Sequence, residues 1–85
     1  MRRKQFESCK DVQVNVGDDF DWINSGKTDC TITHCDPPLE LKRYDVPANG
    51  TTPAKVSSEA KRGTYEYKCK CKKMGSKTNP HIIVS

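Results

Sequence analysis

The chain alternates hydrophobic and polar residues over short stretches, and it has no helical period of useful length. In the first stretch, apolar residues at every second position predict a half-buried strand: Val12, Val14 and Val16. Residues 17–18 are a Gly-Asp pair, which predicts a tight turn. Phe20 and Trp22 then share one face of a second predicted strand.

Later stretches repeat this alternation between turn signals. Cys30, Ile32 and His34 form the next inward-facing set. Residues 36–53 contain four prolines and indicate a long connection, with a short extended piece around residues 44–46. Further strands are expected near residues 54–58, at 63–69 with Tyr65, Tyr67 and Cys69 facing inward, and at 81–84. About seven short strands in this spacing are typical of an all-β sandwich or Greek-key barrel.

Length and composition then limit how such a fold is stabilised. The 85 residues predict a single domain, 1–85, with residues 1–8 as a flexible or edge-strand N-terminus. A hydrophobic content of 33% allows only a thin core, so cross-links or a metal ion would help to stabilise it. The five cysteines are an odd number, so at least one cannot pair within the chain.

The N-terminus is basic, and no apolar run follows it, so we expect no signal peptide and no transmembrane segment in this chain. Two compartments remain open, and cysteine chemistry differs between them. A cytoplasmic protein would carry free or metal-bound thiols. A secreted or periplasmic protein, its signal removed, would carry disulfides.

Basic residues cluster around the last cysteines, within a net charge of +4: Lys68, Lys70, Lys72 and Lys73. They predict either a solubilising strand face or a docking patch for an acidic protein. No aromatic residues alternate with these lysines to stack on bases, which argues against a nucleic-acid partner. No inward pair of carboxylates indicates general acid–base chemistry, so we expect a protein that is not an enzyme.

Four segments, in order, resemble the cupredoxin family over about residues 10–85. A valine strand, a Gly-Asp turn and a Trp-x-Asn strand occupy residues 14–24. The segment Asp29-Cys30-Thr31-Ile32-Thr33 stands where the family commonly has Pro-His-Thr-Val-Thr. Residues 44–51 resemble its Val-Pro-Ala-Gly-Gly segment, and residues 63–69 are similar to its Gly-x-Tyr-x-Tyr-x-Cys strand.

This resemblance implies a two-sheet Greek-key sandwich with metal ligands clustered at one end. It puts Cys69 at the position of the copper thiolate and Met74 at that of the weak axial ligand. Cys30 replaces the first histidine ligand, and the interval between Cys69 and Met74 lacks the second. A blue-copper site needs two histidines and a thiolate, so the chain departs from that pattern.

Strand directions in such a fold bring most of the sulfur to one end. The residues expected there are Cys9, Cys30, Cys69, Cys71, Met74 and His81. Cys35 lies five residues beyond Cys30, ~16 Å away along a strand, and is expected near the other end. Three explanations remain open for the cluster: a soft-metal site, one or two disulfides such as Cys30–Cys69 or Cys9–Cys71, or ordinary buried thiols.

The leading hypothesis is a cupredoxin-like protein that binds a soft metal ion, copper first and zinc as the alternative, for metal holding, metal delivery or electron transfer. Cys30 and Cys69 would be the primary ligands, completed from Cys71, Met74, His81 or Cys9. The rival hypothesis is a metal-free, disulfide-stapled module for structure or protein interaction. A third is a redox-sensing dithiol at Cys69 and Cys71, activated by neighbouring lysines.

Overall fold

The computed structural model describes residues 4–72 and 79–85, and within these ranges the chain is all-β, as predicted. The strands are β1 (Lys4–Glu7), β2 (Val12–Val14), β3 (Asp19–Ile23), β4 (Cys30–Thr33), β5 (Arg43–Val46), β6 (Thr51–Lys55), β7 (Gly63–Glu66), β8 (Lys68–Cys71) and β9 (His81–Val84). Among the described residues there are therefore nine strands rather than about seven. One reason is that the expected strand 63–69 is divided at Tyr67. No helix in this part of the chain is long and apolar enough to cross a membrane.

The strands form three small sheets. In the first, β3 pairs in parallel with β1 and antiparallel with β6. In the second, β9 pairs in parallel with β2 and antiparallel with β7. In the third, β4 pairs antiparallel with both β5 and β8. Only Tyr67 separates β7 from β8, so one stretch of chain runs through the second and third sheets, an arrangement that supports a β-sandwich.

The N-terminal chain changes sheets between its first two strands. β1 is an outer strand of the first sheet, whereas β2 belongs to the second. The backbone N–H of Ser8 donates to the carbonyl of Ile23, which holds the beginning of the connection against β3 (2.8 Å). Cys9 follows with φ of 66°, a left-handed conformation that turns the chain away from β1. The connection therefore presents Cys9 beside β8 of the third sheet.

The turn predicted at residues 17–18 is present, but it does not close a hairpin. The N–H of Asp18 donates to the carbonyl of Asn15 (3.1 Å), and the N–H of Asn15 donates to the Asp18 carboxylate (2.8 Å). Gly17 has φ of 78°, which only glycine adopts readily. The turn takes the chain from the second sheet to the first. Because β2 ends at Val14, Val16 lies outside the strand and is 39% exposed.

The core contains apolar residues from all three sheets, and aromatic rings form a line through it. Phe20 packs edge-to-face on Phe6 and on Trp22, with ring centroids 5.5 and 5.2 Å apart. Trp22 packs on Tyr67 at 5.4 Å. Trp22 is fully buried, and Tyr67 is only 1% exposed. Such pairs contribute about 0.5–1.5 kcal/mol each beyond the burial of their area.

His34 does not face the core, contrary to the prediction from alternation. β4 ends at Thr33, and His34 then adopts φ of 57° and is exposed. The change in backbone direction places Cys35 in the core instead. The inward-facing set of this segment is therefore Cys30, Ile32 and Cys35.

Candidate functional site

The register between β4 and β8 sets the position of three cysteines. Cys30 at the start of β4 lies opposite Cys71 at the end of β8, with Cα atoms 4.0 Å apart. Ile32 lies opposite Cys69, two positions along the same face. Side chains in a strand alternate between faces, so Cys69 and Cys71 both point inward while the lysines beside them point outward. Only Cys71 directly faces another cysteine across this strand pair.

Cys9 is the fourth member of the cluster and comes from the connection between β1 and β2. Its Cα lies 5.2 Å from that of Cys69. The Tyr67 hydroxyl donates a hydrogen bond to the carbonyl of Lys10, which holds the connection just beyond Cys9. Burial of the Tyr67 ring raises the pKa of its hydroxyl, so it remains a donor at neutral pH.

The four clustered cysteines form two disulfides, Cys9–Cys69 and Cys30–Cys71. These cysteines meet at one end of the fold, as strand directions predicted, but they are not joined as Cys30–Cys69 or Cys9–Cys71. The reason is register: Cys30 faces Cys71, and Cys69 is left for Cys9. We refer to these four residues as the sulfur cluster.

The sulfur cluster is compact enough to be compared with a metal site. The Sγ atoms of Cys9 and Cys71, which belong to different disulfides, are 3.8 Å apart. The Sγ atoms of Cys9, Cys69 and Cys71 all lie within 4.8 Å of one another. In a tetrahedral zinc site with zinc–sulfur bonds of about 2.3 Å, neighbouring sulfurs are about 3.8 Å apart. One pair of sulfurs therefore has a spacing that suits a soft metal ion, whereas the bonded sulfurs could serve as ligands only after reduction releases and separates the thiolates.

His81, an expected metal ligand, contacts carboxylates instead of the sulfur cluster. Its Nδ1 lies 3.8 Å from an Asp11 carboxylate oxygen and its Nε2 3.9 Å from a Glu66 carboxylate oxygen. Its backbone N–H also donates to Asp11 (2.9 Å). The ring is thus placed between carboxylates and is not part of the close group of three sulfurs. Met74, the expected axial ligand, lies outside the described residues.

Three of the four predicted docking lysines are described, and all are exposed. Lys68 and Lys70 lie on the outer face of β8, and Lys72 follows it. Lys72 approaches the Asp29 carboxylate at 3.7 Å, with its side chain 77% exposed. Lys73 lies outside the described residues. Lys68 and Lys70 therefore offer positive charge on the reverse side of the strand that carries Cys69 and Cys71.

A groove of about 500 Å³ opens onto the sulfur cluster. Its lining includes Cys9, Cys30 and Cys71, together with the charged residues Glu7, Lys10 and Lys27. Sequence reasoning missed this groove because its walls come from the β1–β2 connection, the loop before β4 and the end of β8. Buried Asn24 shapes the loop wall by donating to the carbonyls of Thr28 (2.8 Å) and Val46 (3.1 Å).

Comparison of the chain with protein-family models, with curated proteins and with solved structures finds no match.

Cys35 is the cysteine outside the sulfur cluster, and its reactivity can be tested separately. It is buried and unpaired, its thiol donates to the Leu41 carbonyl (3.3 Å), and burial raises its pKa to about 11. We predict that iodoacetamide at pH 8 does not label Cys35 in the folded protein but labels it after denaturation, because the thiolate is the nucleophile.

The same shift predicts a change in stability with pH. An unfolded cysteine ionises near pH 9, whereas folded Cys35 ionises near 11. The stabilisation is therefore fully present below about pH 9 and is lost as the pH rises through 11. The free energy of unfolding, measured with urea between pH 8 and 11, should show this loss. Cys35→Ala should make that free energy depend less steeply on pH. An unchanged dependence on pH in the variant would assign the loss to other groups.

Proposed function

We propose that this protein is a disulfide-stapled, cupredoxin-like module whose function is to bind a protein partner. The observation that carries the proposal is the mutual pairing of all four clustered cysteines. In this oxidised state the sulfur cluster offers no thiolate to a metal ion. The fifth cysteine is buried and unpaired.

The two disulfides join segments that lie far apart in the sequence. Cys9–Cys69 attaches the N-terminal connection to β8 over a sequence separation of 60 residues. Cys30–Cys71 attaches β4 to β8 over 41 residues. Each such bridge typically stabilises by about 2–4 kcal/mol, which is comparable with much of the stability of a small domain. This supports a structural role for the cluster and an oxidising compartment.

The cupredoxin-like Greek-key topology is part of the proposal. Four segments of sequence support it. The placement of the first two strands in different sheets also supports it, since β1 pairs in parallel with β3 and β2 pairs in parallel with β9. The chain thus changes sheets between its first two strands, which is compatible with a sandwich.

The partner we propose is an acidic protein that docks on the outer face of β8. Lys68 and Lys70 are exposed there, and Thr33 and Thr31 lie opposite them on β4. Long-range attraction from such a face increases the rate of encounter with an acidic surface, and salt weakens it.

The stapled state makes a direct prediction for mass and stability. Protein purified without reductant should have a mass lowered by about two units per bridge and no stoichiometric metal. Reduction should lower the melting temperature by about 10 °C or more, because each bridge contributes about 2–4 kcal/mol. The Cys35→Ser variant should show the same drop in melting temperature on reduction, since the Cys35 thiol is not in a bridge. Five free thiols in the purified protein would contradict the proposal.

The docking face can be tested with poly-glutamate as an acidic probe at low salt. We expect the double variant Lys68→Glu, Lys70→Glu to lose binding, because the change reverses the charge of the face. The matched control is Lys61→Glu, Arg62→Glu, which changes the net charge equally at exposed positions outside β8. Equal loss in both variants would show that net charge, not this face, attracts the probe.

Binding of a soft metal ion is the second candidate function, and the spacing of the sulfurs favours it. The distance of 3.8 Å between the Sγ atoms of Cys9 and Cys71 suits a tetrahedral thiolate site once both bridges are reduced. Copper(I) or zinc are the ions that such ligands prefer. The role would be metal holding or delivery, or electron transfer if copper cycles between oxidation states.

This candidate predicts that fully reduced protein, titrated anaerobically with zinc or copper(I), binds one ion per chain. Cys69→Ser should weaken binding at least about tenfold, because it removes a ligand. Cys35→Ser should leave binding unchanged. Wild-type affinity in Cys69→Ser would show that Cys69 is not a ligand and would contradict the proposed ligand set.

A further inference from the structure

We propose that the sulfur cluster is a thiol–disulfide exchange site. A dithiol first reduces the Cys30–Cys71 bridge. The released Cys71 thiolate then attacks Cys9 and displaces Cys69. The inference goes beyond a structural role, and it rests on the disulfide pairing in the function proposed above.

The geometry brings Cys9 within reach of two alternative partners. Cys69 and Cys71 occupy the same face of β8, two positions apart. Cys9 is bonded to Cys69, and its sulfur lies 3.8 Å from that of Cys71. All three sulfurs are within 4.8 Å of one another, so no strand has to move far for a change of partner. The freed Cys71 side chain must close the 3.8 Å gap and rotate its sulfur into line with the Cys9–Cys69 bond.

Access to the cluster is unequal. The groove is lined by Cys9, Cys30 and Cys71, so both residues of the Cys30–Cys71 bridge border space that a small dithiol can enter. Cys30 and Cys69 are each 4% exposed, but Cys69 does not line the groove. The first bridge to be reduced is therefore Cys30–Cys71, and Cys69 is reached through Cys71 and Cys9.

The chemistry balances in two steps. One thiolate of the dithiol attacks the Cys30–Cys71 bridge and forms a mixed disulfide, and the second thiol closes the dithiol into its cyclic disulfide. The protein has then gained two electrons and two protons, as thiols at Cys30 and Cys71. Next, the Cys71 thiolate attacks the Cys9 sulfur, the Cys9–Cys69 bond breaks, and Cys69 leaves as a thiolate that takes up a proton.

The second step involves no net oxidation or reduction. Its product carries a Cys9–Cys71 bridge and thiols at Cys30 and Cys69. The half-reduced protein therefore has two disulfide pairings, and buried Cys69 exchanges through Cys71 without contacting the external dithiol. The chemical class of substrate is a dithiol, for which dithiothreitol is the probe.

Two single substitutions test the second step without reductant. Cys30→Ser leaves Cys71 as the unpaired thiol of the cluster, beside Cys9. Cys71→Ser leaves Cys30, which is not in the close group of three sulfurs. Each monomeric variant would be quenched with acid to stop exchange, unfolded in denaturant at about pH 6 and labelled there with N-ethylmaleimide, so that buried thiols are labelled too. The labelled cysteines would be located by peptide mapping, with Cys35, free in every variant, set aside.

In Cys30→Ser we expect the label to divide between Cys71 and Cys69, with a matching Cys9–Cys71 bridge. In Cys71→Ser we expect the label on Cys30 alone. Label confined to Cys71 in Cys30→Ser overturns the proposal. Label on Cys9 or Cys69 in Cys71→Ser also overturns it, because exchange would then not depend on Cys71.

The wild-type protein supplies a third measurement. After reduction by one equivalent of dithiothreitol, the same acid quench and labelling in denaturant apply, and label at Cys30 and Cys69 supports the exchange. Label at Cys30 and Cys71 alone contradicts it. If the untreated protein already has five free thiols, the disulfide-stapled function fails first. If both bridges are intact and exchange is absent, only this inference fails.

Discussion

The pairing register between β4 and β8 is the constraint on which the cysteine-bearing end of the molecule depends. It sets Cys30 opposite Cys71 and Ile32 opposite Cys69. A slip of one residue would turn the cysteines of β8 to the outer face and its lysines into the core. The buried Tyr67, just before β8, and the buried Cys69 oppose such a slip, because the core fixes both on the inward face. Hydrophobic burial thus determines which sulfurs meet, and the covalent bonds then preserve that choice.

Tyr67 links this end to the rest of the core. It separates β7 from β8, packs on Trp22, and donates its hydroxyl to the Lys10 carbonyl beside Cys9. Its backbone N–H donates to the carbonyl of Pro80, which continues the contact toward β9 (3.0 Å). One side chain therefore joins the aromatic line, the N-terminal connection and the boundary between two sheets. The apolar ring stabilises by burial, whereas the hydroxyl specifies where the connection lies.

Alternation in the sequence predicted much of the fold, because a half-buried strand must place apolar residues on one face. Phe20 with Trp22, and Tyr67 with Cys69, are buried as that rule requires. The end of β4 was not predictable, since the left-handed turn at His34 has no glycine to signal it. The change of sheet at residues 15–18 was not predictable either. A tight turn has the same sequence signals whether it joins two strands of one sheet or strands of different sheets. Strand direction placed four cysteines together, but their pairing depends on register, which spacing along the chain does not reveal.

The two bridges interlace along the chain, since Cys30 lies between Cys9 and Cys69 while Cys71 lies beyond them. A protease that cuts any one peptide bond between Cys9 and Cys71 would therefore leave the two fragments covalently joined. β9 is outside this protection: it is the central strand of its sheet, but it follows the last bridged cysteine. A single cut between Cys71 and His81 would detach that strand as a separate peptide, held only by its ladders to β2 and β7. The covalent protection against a single proteolytic cut thus ends before β9, the central strand of the second sheet.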